Sequence, residues 1–247
     1  MGGDDERPES PRVFSNRFAD AVGPAGQGPD RDRCDCFAEP GRPVELHTDR
    51  QDTSAPGWCH LLELIDEAAA DGREVFKPLT ELDPAERRQI VTLPPSIAKL
   101  TAVKHFHLYG SNVVRIPPEI GAMAALEEFD PYTSHRLHWF PYEITRCSRL
   151  RDSTVSTRAL YGNFKFVPPY PRLSSRPQPV PAGRRCSVCD GGLADGTALW
   201  AWVARRVATD VLPLLVQACS PECVRAAAPG GPQGRTPEAP LHGGRVR

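Results

Sequence analysis

Residues 93–144 hold three copies of one short pattern: LPPSI at 93–97, IPPEI at 116–120 and FPYEI at 140–144. Successive copies begin 23 and 24 residues apart. Apolar residues follow at fixed offsets, namely Leu100, Met123 and Cys147, then Val103, Leu126 and Leu150, then Phe106, Phe129 and Ser153, then Leu108, Pro131 and Val155. This agreement predicts stacked repeats, because a unit of this size cannot bury its apolar face alone. In this register Cys147 is predicted to be a small buried hydrophobe.

An LP-x-x-I element followed by L-x-x-L-x-L spacing resembles the intracellular leucine-rich repeat family, in the LP-x-x-I subtype found in bacterial scaffolds and Ras-group-related proteins. The resemblance covers about residues 93–167, with a degenerate unit at Leu79, Leu82 and Leu93. It implies an α/β fold, a short leucine-rich-repeat solenoid with a curved parallel sheet. The turn positions that usually hold Asn carry Ser111, Ser134 and Arg158. The one-residue insertion at 135–140 is expected to bulge outward.

The residues between the apolar strand positions are predicted to stack as ladders on the concave face. These ladders are Lys104, Glu127 and Arg151; His105, Glu128 and Asp152; His107, Asp130 and Thr154; and Tyr109, Tyr132 and Ser156. Tyrosines among mixed charges suit protein recognition. We therefore predict a partner-binding face at Lys104, His105, His107, Tyr109, Glu128, Asp130, Tyr132 and Asp152. The alternatives are a plain cross-strand charge ladder and a metal or acid–base site at the two histidines.

A helical cap is predicted before the repeats, over residues 57–92. Apolar residues recur there at helical spacing until Gly72: Trp58, Leu61, Leu62, Ile65, Ala68 and Ala69. A second helix start is indicated by Asp83, Pro84 and Glu86, since Asp can cap, Pro suits the first position and Glu can bond back to the cap. Such a cap covers the open first end of a repeat stack.

Three segments have the composition of irregular chain. Residues 1–56 are rich in Pro, Gly, Asp and Arg and predict a disordered tail, in which Cys34 and Cys36 are expected to be surface thiols. Clustered prolines over 168–183 predict a stiff linker, with a ligand for a proline-binding domain as the alternative. Residues 229–247 predict a second disordered tail.

The strongest chemical motif lies in residues 184–228. This segment contains two closely spaced pairs of cysteines, Cys186 with Cys189 and Cys219 with Cys223. Each pair can supply one side of a tetrahedral Zn²⁺ site, and the apolar stretches between the pairs predict two strands. Residues 216–225 look like the second half of a treble-clef zinc finger of the TRASH or MYM type. We predict one structural zinc per chain, with four free core thiols or a disulfide as alternatives. The module either packs on the repeats or stands apart beyond the linker.

Charge and composition limit the classes of function. The 30 Lys and Arg residues are balanced by 31 Asp and Glu, so the whole chain has no basic excess for nucleic acid. No apolar window is long enough for a membrane span, and residues 1–20 lack the apolar core of a secretory signal. We expect a cytoplasmic monomer without membrane contact, in which disulfides are disfavoured.

These observations favour a non-enzymatic scaffold that binds another protein on its concave face. Phosphate-loop, dinucleotide, zinc-protease and serine-hydrolase signatures are absent from the sequence, so no catalytic residues are predicted. The alternative is a nucleic-acid-associated regulator that uses the zinc finger and the local arginines Arg184, Arg185, Arg205, Arg206 and Arg225. An enzyme with a zinc-activated water ranks last, because four cysteines leave no open coordination position.

Overall fold

The computed structural model describes residues 46–155, 185–194 and 198–227. In chain order its elements are helix α1 (Pro56–Asp71), strand β1 (Val75–Phe76), helices α2 (Pro78–Glu81) and α3 (Pro84–Gln89), a first 3₁₀ helix (Pro95–Lys99), β2 (His105–His107), a second 3₁₀ helix (Pro118–Ala122), β3 (Glu128–Asp130), β4 (Phe140–Pro141), a third 3₁₀ helix (Tyr142–Arg146), β5 (Asp152–Ser153), β6 (Leu199–Val207), β7 (Asp210–Ala218) and α4 (Pro221–Ala227).

These elements form a mixed α/β fold with one parallel and one mixed sheet, and neither sheet closes into a barrel. None of the helices within the described ranges has both the length and the apolar character needed to cross a membrane. The predicted linker at 168–183, the tail at 229–247, and Cys34 and Cys36 lie outside the described residues.

The two predicted cap helices are confirmed. Helix α1 buries the face on which its apolar residues recur and ends at Gly72, whose φ of +67° is the left-handed conformation that glycine adopts at little steric cost. Helix α3 begins with the predicted capping box. The Asp83 carboxylate accepts the N–H groups of Ala85 and Glu86, and the Glu86 carboxylate accepts the N–H of Asp83.

The segment before α1 is already placed from residue 46 onward, ahead of the start at 57 that composition predicts. Leu46 is buried. The side-chain amide of Gln51 donates to the Gln89 carbonyl at 2.9 Å, and its carbonyl oxygen accepts the Val91 N–H at 2.9 Å. Hydrogen bonds to the backbone at the end of α3 thus hold this polar segment in place. Amino-acid composition does not reveal such hydrogen bonds.

The first sheet has four parallel strands in the order β1-β2-β3-β5. His105 pairs with Glu128, which pairs in turn with Asp152, so the ladder register predicted from the repeat spacing is confirmed. On the inner side of the sheet, the rings of three successive strands lie at centroid distances of 5.6 Å: Phe76, Phe106 and Phe129. The phenylalanine at this register position therefore forms the centre of the core.

The three 3₁₀ helices lie against one another on the other side of the repeats. Gly121 permits their close approach, because a Cβ there would lie only 2.7 Å from the Glu143 carbonyl oxygen. Cys147 is the buried small residue that its register predicts. Its thiol donates to the Ile120 carbonyl at 3.2 Å, and burial raises the pKa of that thiol to about 12.

The second sheet joins the C-terminal module to the third repeat unit. Phe140 of β4 pairs in parallel with Leu214 of β7, and β6 runs antiparallel to β7 along its whole length. The inward side chains of this hairpin belong to the same hydrophobic core as the repeats: Ala201, Val203, Leu212, Leu214 and Val216. Of the two arrangements left open by the sequence, the structure has the packed one.

The hairpin turn also holds the last strand of the first sheet. The Ser153 hydroxyl donates to the Asp210 carboxylate at 2.9 Å, and the Thr209 hydroxyl donates to the Ser153 carbonyl at 2.7 Å. Ser153 interrupts the apolar pattern of its unit because its partners lie on the hairpin and not in the repeats.

The insertion at 135–140 folds inward, so the prediction that it bulges outward is wrong. Leu137 and Trp139 are buried, and the Trp139 ring meets the Trp202 ring edge to face at 6.0 Å. Arg136 forms an ion pair with Asp49 at 2.7 Å. The extra residue therefore delivers apolar side chains into the space between the N-terminal segment and the hairpin, where burial stabilises them.

Candidate metal centre and exposed sheet face

The first cysteine pair lies on a tight turn at the end of the hairpin. The Cys186 N–H donates to the Gly191 carbonyl at 2.7 Å, and the Asp190 N–H donates to the Cys186 carbonyl at 3.0 Å. Asp190 adopts the left-handed conformation, with φ of +61°. Gly191 contributes space, since a Cβ there would lie 3.3 Å from the Cys189 sulfur. This turn directs both thiols of the pair to the same side.

The second pair spans the junction between β7 and α4. Cys219 directly follows β7, and Cys223 lies in the first turn of α4. The Ser220 hydroxyl accepts the N–H of Cys223 at 3.3 Å, as an N-cap residue does. The sequence places Ser220 and Pro221 between the strand and the helix, so the chain turns there and brings Cys223 back towards Cys219.

The four sulfurs form one cluster. Sγ atoms of Cys186, Cys189, Cys219 and Cys223 all lie within 4.8 Å of one another. Cys219 is central, with its sulfur 3.6 Å from that of Cys189 and 3.6 Å from that of Cys223. All four thiols are free, and two of them are exposed, so neither a disulfide nor four core thiols describes the cluster. The four together can hold a metal ion.

The electrostatics of the cluster favour a cation. Burial opposes ionisation of Cys186, but N–H groups of Cys189, Val188 and Cys219 donate to its sulfur and lower its pKa to about 6. Contact with the sulfur of Cys189 raises the pKa of Cys219 to about 12. Without a cation, one thiolate therefore suppresses ionisation of its neighbours. A bound divalent ion removes that penalty, because coordinating thiols are deprotonated.

The cysteine turn is bonded to the third repeat unit by two side chains of the third 3₁₀ helix. Arg146 donates to the carbonyls of Cys186 and Ser187 at 3.2 and 3.0 Å, and pairs with Asp190 at 3.2 Å. Glu143 is bonded to the Ser187 side chain, while burial raises the pKa of its carboxyl group. The backbone that carries the first two sulfurs is thus held in place by the repeats.

The sequence did not single out Arg146 or Glu143. Both lie at positions that vary between the repeat units. The position of Arg146 holds Lys99 in the first unit and Ala122 in the second, and the position of Glu143 holds Ser96 and Glu119. The third unit alone has charged residues at both positions, and it is the unit that adjoins the cysteine module, residues 185–194 and 198–227. This difference is the signal in the sequence that could have identified Glu143 and Arg146.

The predicted partner-binding residues lie together on the outer side of the first sheet. We call the following eight residues the ladder face: Lys104, His105, His107, Tyr109, Glu128, Asp130, Tyr132 and Asp152. The pair His105–Glu128 is bonded at 2.8 Å, and His107–Asp130 lies at 3.6 Å. The Tyr109 and Tyr132 rings lie at a centroid distance of 5.8 Å. The structure therefore brings six of the eight residues into cross-strand pairs and places Asp152 opposite Glu128.

The arginines considered for nucleic acid binding are mostly engaged within the molecule. Arg185 bonds to Asp190, Arg205 to the Tyr142 hydroxyl, and Arg225 to Glu222. Arg206 is exposed, and Arg184 lies outside the described residues. These contacts occupy three of the guanidinium groups, of which those of Arg185 and Arg225 remain largely exposed to solvent.

No model of a protein family matches this chain, and no curated protein matches it either. The fold and the two surfaces described above therefore carry the functional conclusion.

Proposed function

We propose that this protein is a non-enzymatic scaffold of the leucine-rich-repeat type, a short solenoid that binds a partner protein on the ladder face. Support comes from the agreement between sequence period and strand register: units that begin 23 and 24 residues apart each contribute a parallel strand at the same offset. Repeats that stack in this way produce extended surfaces of equivalent positions, which such proteins use for binding.

The observation that carries this proposal is the pair of adjacent tyrosine rings at one end of the ladder face. Tyr132 keeps 37 % of its surface exposed although its ring meets that of Tyr109. An aromatic pair with one exposed ring beside charged residues has the composition of an interface anchor, since aromatic side chains dominate the binding energy of many interfaces.

The metal that we propose for the cysteine cluster is zinc. Four sulfurs bonded tetrahedrally to zinc at about 2.3 Å lie about 3.8 Å apart, close to the spacing of Cys219 from its two neighbours. A Cys₄ site leaves no position for a reactive water, so its role is structural and a reducing compartment such as the cytoplasm suits it. Elemental analysis of the purified chain should find about one zinc, and Cys219→Ser should abolish that content.

Partner capture tests the scaffold proposal. The tagged chain is incubated with native lysate, with and without nuclease treatment, and captured proteins are compared with those of a Tyr109→Ala, Tyr132→Ala double variant. The matched control is Leu199→Ala, which truncates an exposed hydrophobic residue on β6. We expect the double variant to lose the captured protein with little change in thermal stability, and the control to retain it. Equal capture by the double variant would refute binding at this face, and capture that depends on nucleic acid would favour the regulator alternative.

A further inference from the structure

We propose that the partner docks on the ladder face through an extended basic segment, with an arginine or lysine seated between Glu128 and Asp152 and a neighbouring basic side chain on the tyrosine pair. This inference rests on the proposed function, because it names the chemistry of the partner that the scaffold binds. Its occupant is a segment of a second protein, and nucleic acid is excluded by its charge.

The first observation is a like-charge pair in the middle of the face. Glu128 and Asp152 occupy directly opposed positions on β3 and β5. Opposed like charges destabilise a sheet, and the backbones of neighbouring strands lie only about 4.8 Å apart. His105 contacts Glu128 from the other side, whereas no ion pair of Asp152 is found within the described ranges. Two neighbouring carboxylates can together accept the forked donors of a guanidinium group.

The second observation is the distribution of charge across the face. In the outermost ladder the charges already cancel, because Lys104 pairs with Glu74 and Arg151 pairs with Glu127. The next two ladders in strands β2, β3 and β5 hold three carboxylates, Glu128, Asp130 and Asp152, and their only nitrogen partners within these strands are two histidines. The excess negative charge therefore lies at the centre of the face, where a basic segment is attracted and a phosphate backbone is repelled.

The third observation is the distance from this charge to the tyrosine pair. Tyr132 follows Glu128 by four residues and lies in the turn after β3, where the Asp130 carboxylate accepts its N–H at 3.0 Å. The Cα atoms of Glu128 and Tyr132 are therefore separated by at most about 13 Å. The faces of tyrosine rings attract guanidinium and ammonium groups. An extended segment with basic residues about four positions apart can therefore place one at the carboxylates and one on the rings.

The test uses two fluorescein-labelled probes, the peptide GSRGSGRGSGRG, whose arginines are four positions apart, and its counterpart with Glu in place of each Arg. Each is titrated into the full zinc-loaded chain by fluorescence anisotropy. We expect the basic peptide alone to bind, with an affinity that falls as salt rises because exposed charges are screened. The Glu128→Gln, Asp152→Asn double variant should bind about threefold to tenfold more weakly. Its thermal stability should be equal or higher, because a repulsive pair has been removed.

The control is Glu63→Gln with Glu67→Gln, which removes two exposed charges from α1 and should leave peptide affinity unchanged. Failure of the full chain to bind the basic peptide overturns the inference. The same failure is the result expected if an arginine-containing segment of this chain already occupies the ladder face. An equal loss in the control variant overturns it as well. In the capture experiment, loss with the tyrosine variant but retention with Glu128→Gln, Asp152→Asn leaves the scaffold proposal standing and refutes only the basic partner.

Discussion

Ser134 illustrates how single polar residues hold the repeats together. It is 1 % exposed, and its hydroxyl lies 2.7 Å from that of Ser111 and donates to the Leu108 carbonyl at 3.0 Å. The Ser111 N–H also donates to it at 3.2 Å. A serine at each turn thus connects two adjacent units, where the resemblance to leucine-rich repeats leads one to expect asparagine.

We predict that Ser134→Ala lowers the free energy of unfolding by about 1–3 kcal/mol, because it leaves buried groups of the neighbouring turn without their partner. Urea denaturation measures the change. Ser96→Ala is the matched control: the Ser96 hydroxyl oxygen is buried but has no hydrogen-bond partner among the described residues, so its loss should change stability by less than about 0.5 kcal/mol. Equal costs for the two substitutions would contradict the role assigned to Ser134.

Serines at repeat positions show where prediction from the sequence ends. Ser153 occupies an apolar register position, yet its partners Thr209 and Asp210 lie more than fifty residues further along the chain. The register of a repeat predicts which side a residue faces, but not which polar group meets it there. The four metal-ligand candidates, in contrast, were predictable because their close spacing is itself the chemical signal.

At the scale of elements, the length of a strand decides whether sequence can predict it. The nine-residue strands β6 and β7 stand out as apolar stretches. Strand β1 has only two residues and therefore shows no alternation of apolar and polar side chains. The sequence predicted the degenerate first unit at Leu79, Leu82 and Leu93, whereas the strand itself lies at Val75–Phe76. Strands β2, β3 and β5 have only two or three residues, but their repetition compensates for the lack of a period within each.

The contact between the third 3₁₀ helix and the cysteine turn leads to a second prediction. Arg146→Ala removes two hydrogen bonds to the carbonyls of Cys186 and Ser187, which orient the backbone of the first cysteine pair. We expect zinc affinity to fall about tenfold, the lower end of the effect of losing a residue that supports metal ligands. Competition with a chromophoric chelator measures it.

Arg149→Ala provides the control for this prediction, because Arg149 is an exposed arginine three residues further along. Its removal should leave zinc affinity unchanged. If both variants bind zinc as the unchanged chain does, the cysteine turn holds its shape without the repeats, and the contact through Arg146 serves only to attach the module.

For the whole molecule, the described parts share one core. The main hydrophobic cluster runs from Trp58 in α1 through the repeats to Val224 in α4. Sequence predicted both ends of this arrangement but not their contact, since that contact depends on the two-residue strand β4 and on an insertion that folds inward. The cysteine module therefore covers the last repeat as α1 covers the first, which the resemblance alone left open.

This continuity predicts that metal removal weakens the repeats and not only the cysteine module. Structural zinc, the metal proposed for the cysteine cluster, typically contributes on the order of 10 kcal/mol, comparable to the whole stability of a domain. When a chelator removes it, we expect hydrogen-exchange protection to fall in the module and also at Phe140 and Ile144, with a smaller loss in α1, and to return on addition of zinc. A loss of protection confined to residues 185–194 and 198–227 would instead mean that the repeats are stable by themselves and that the hairpin only rests on them.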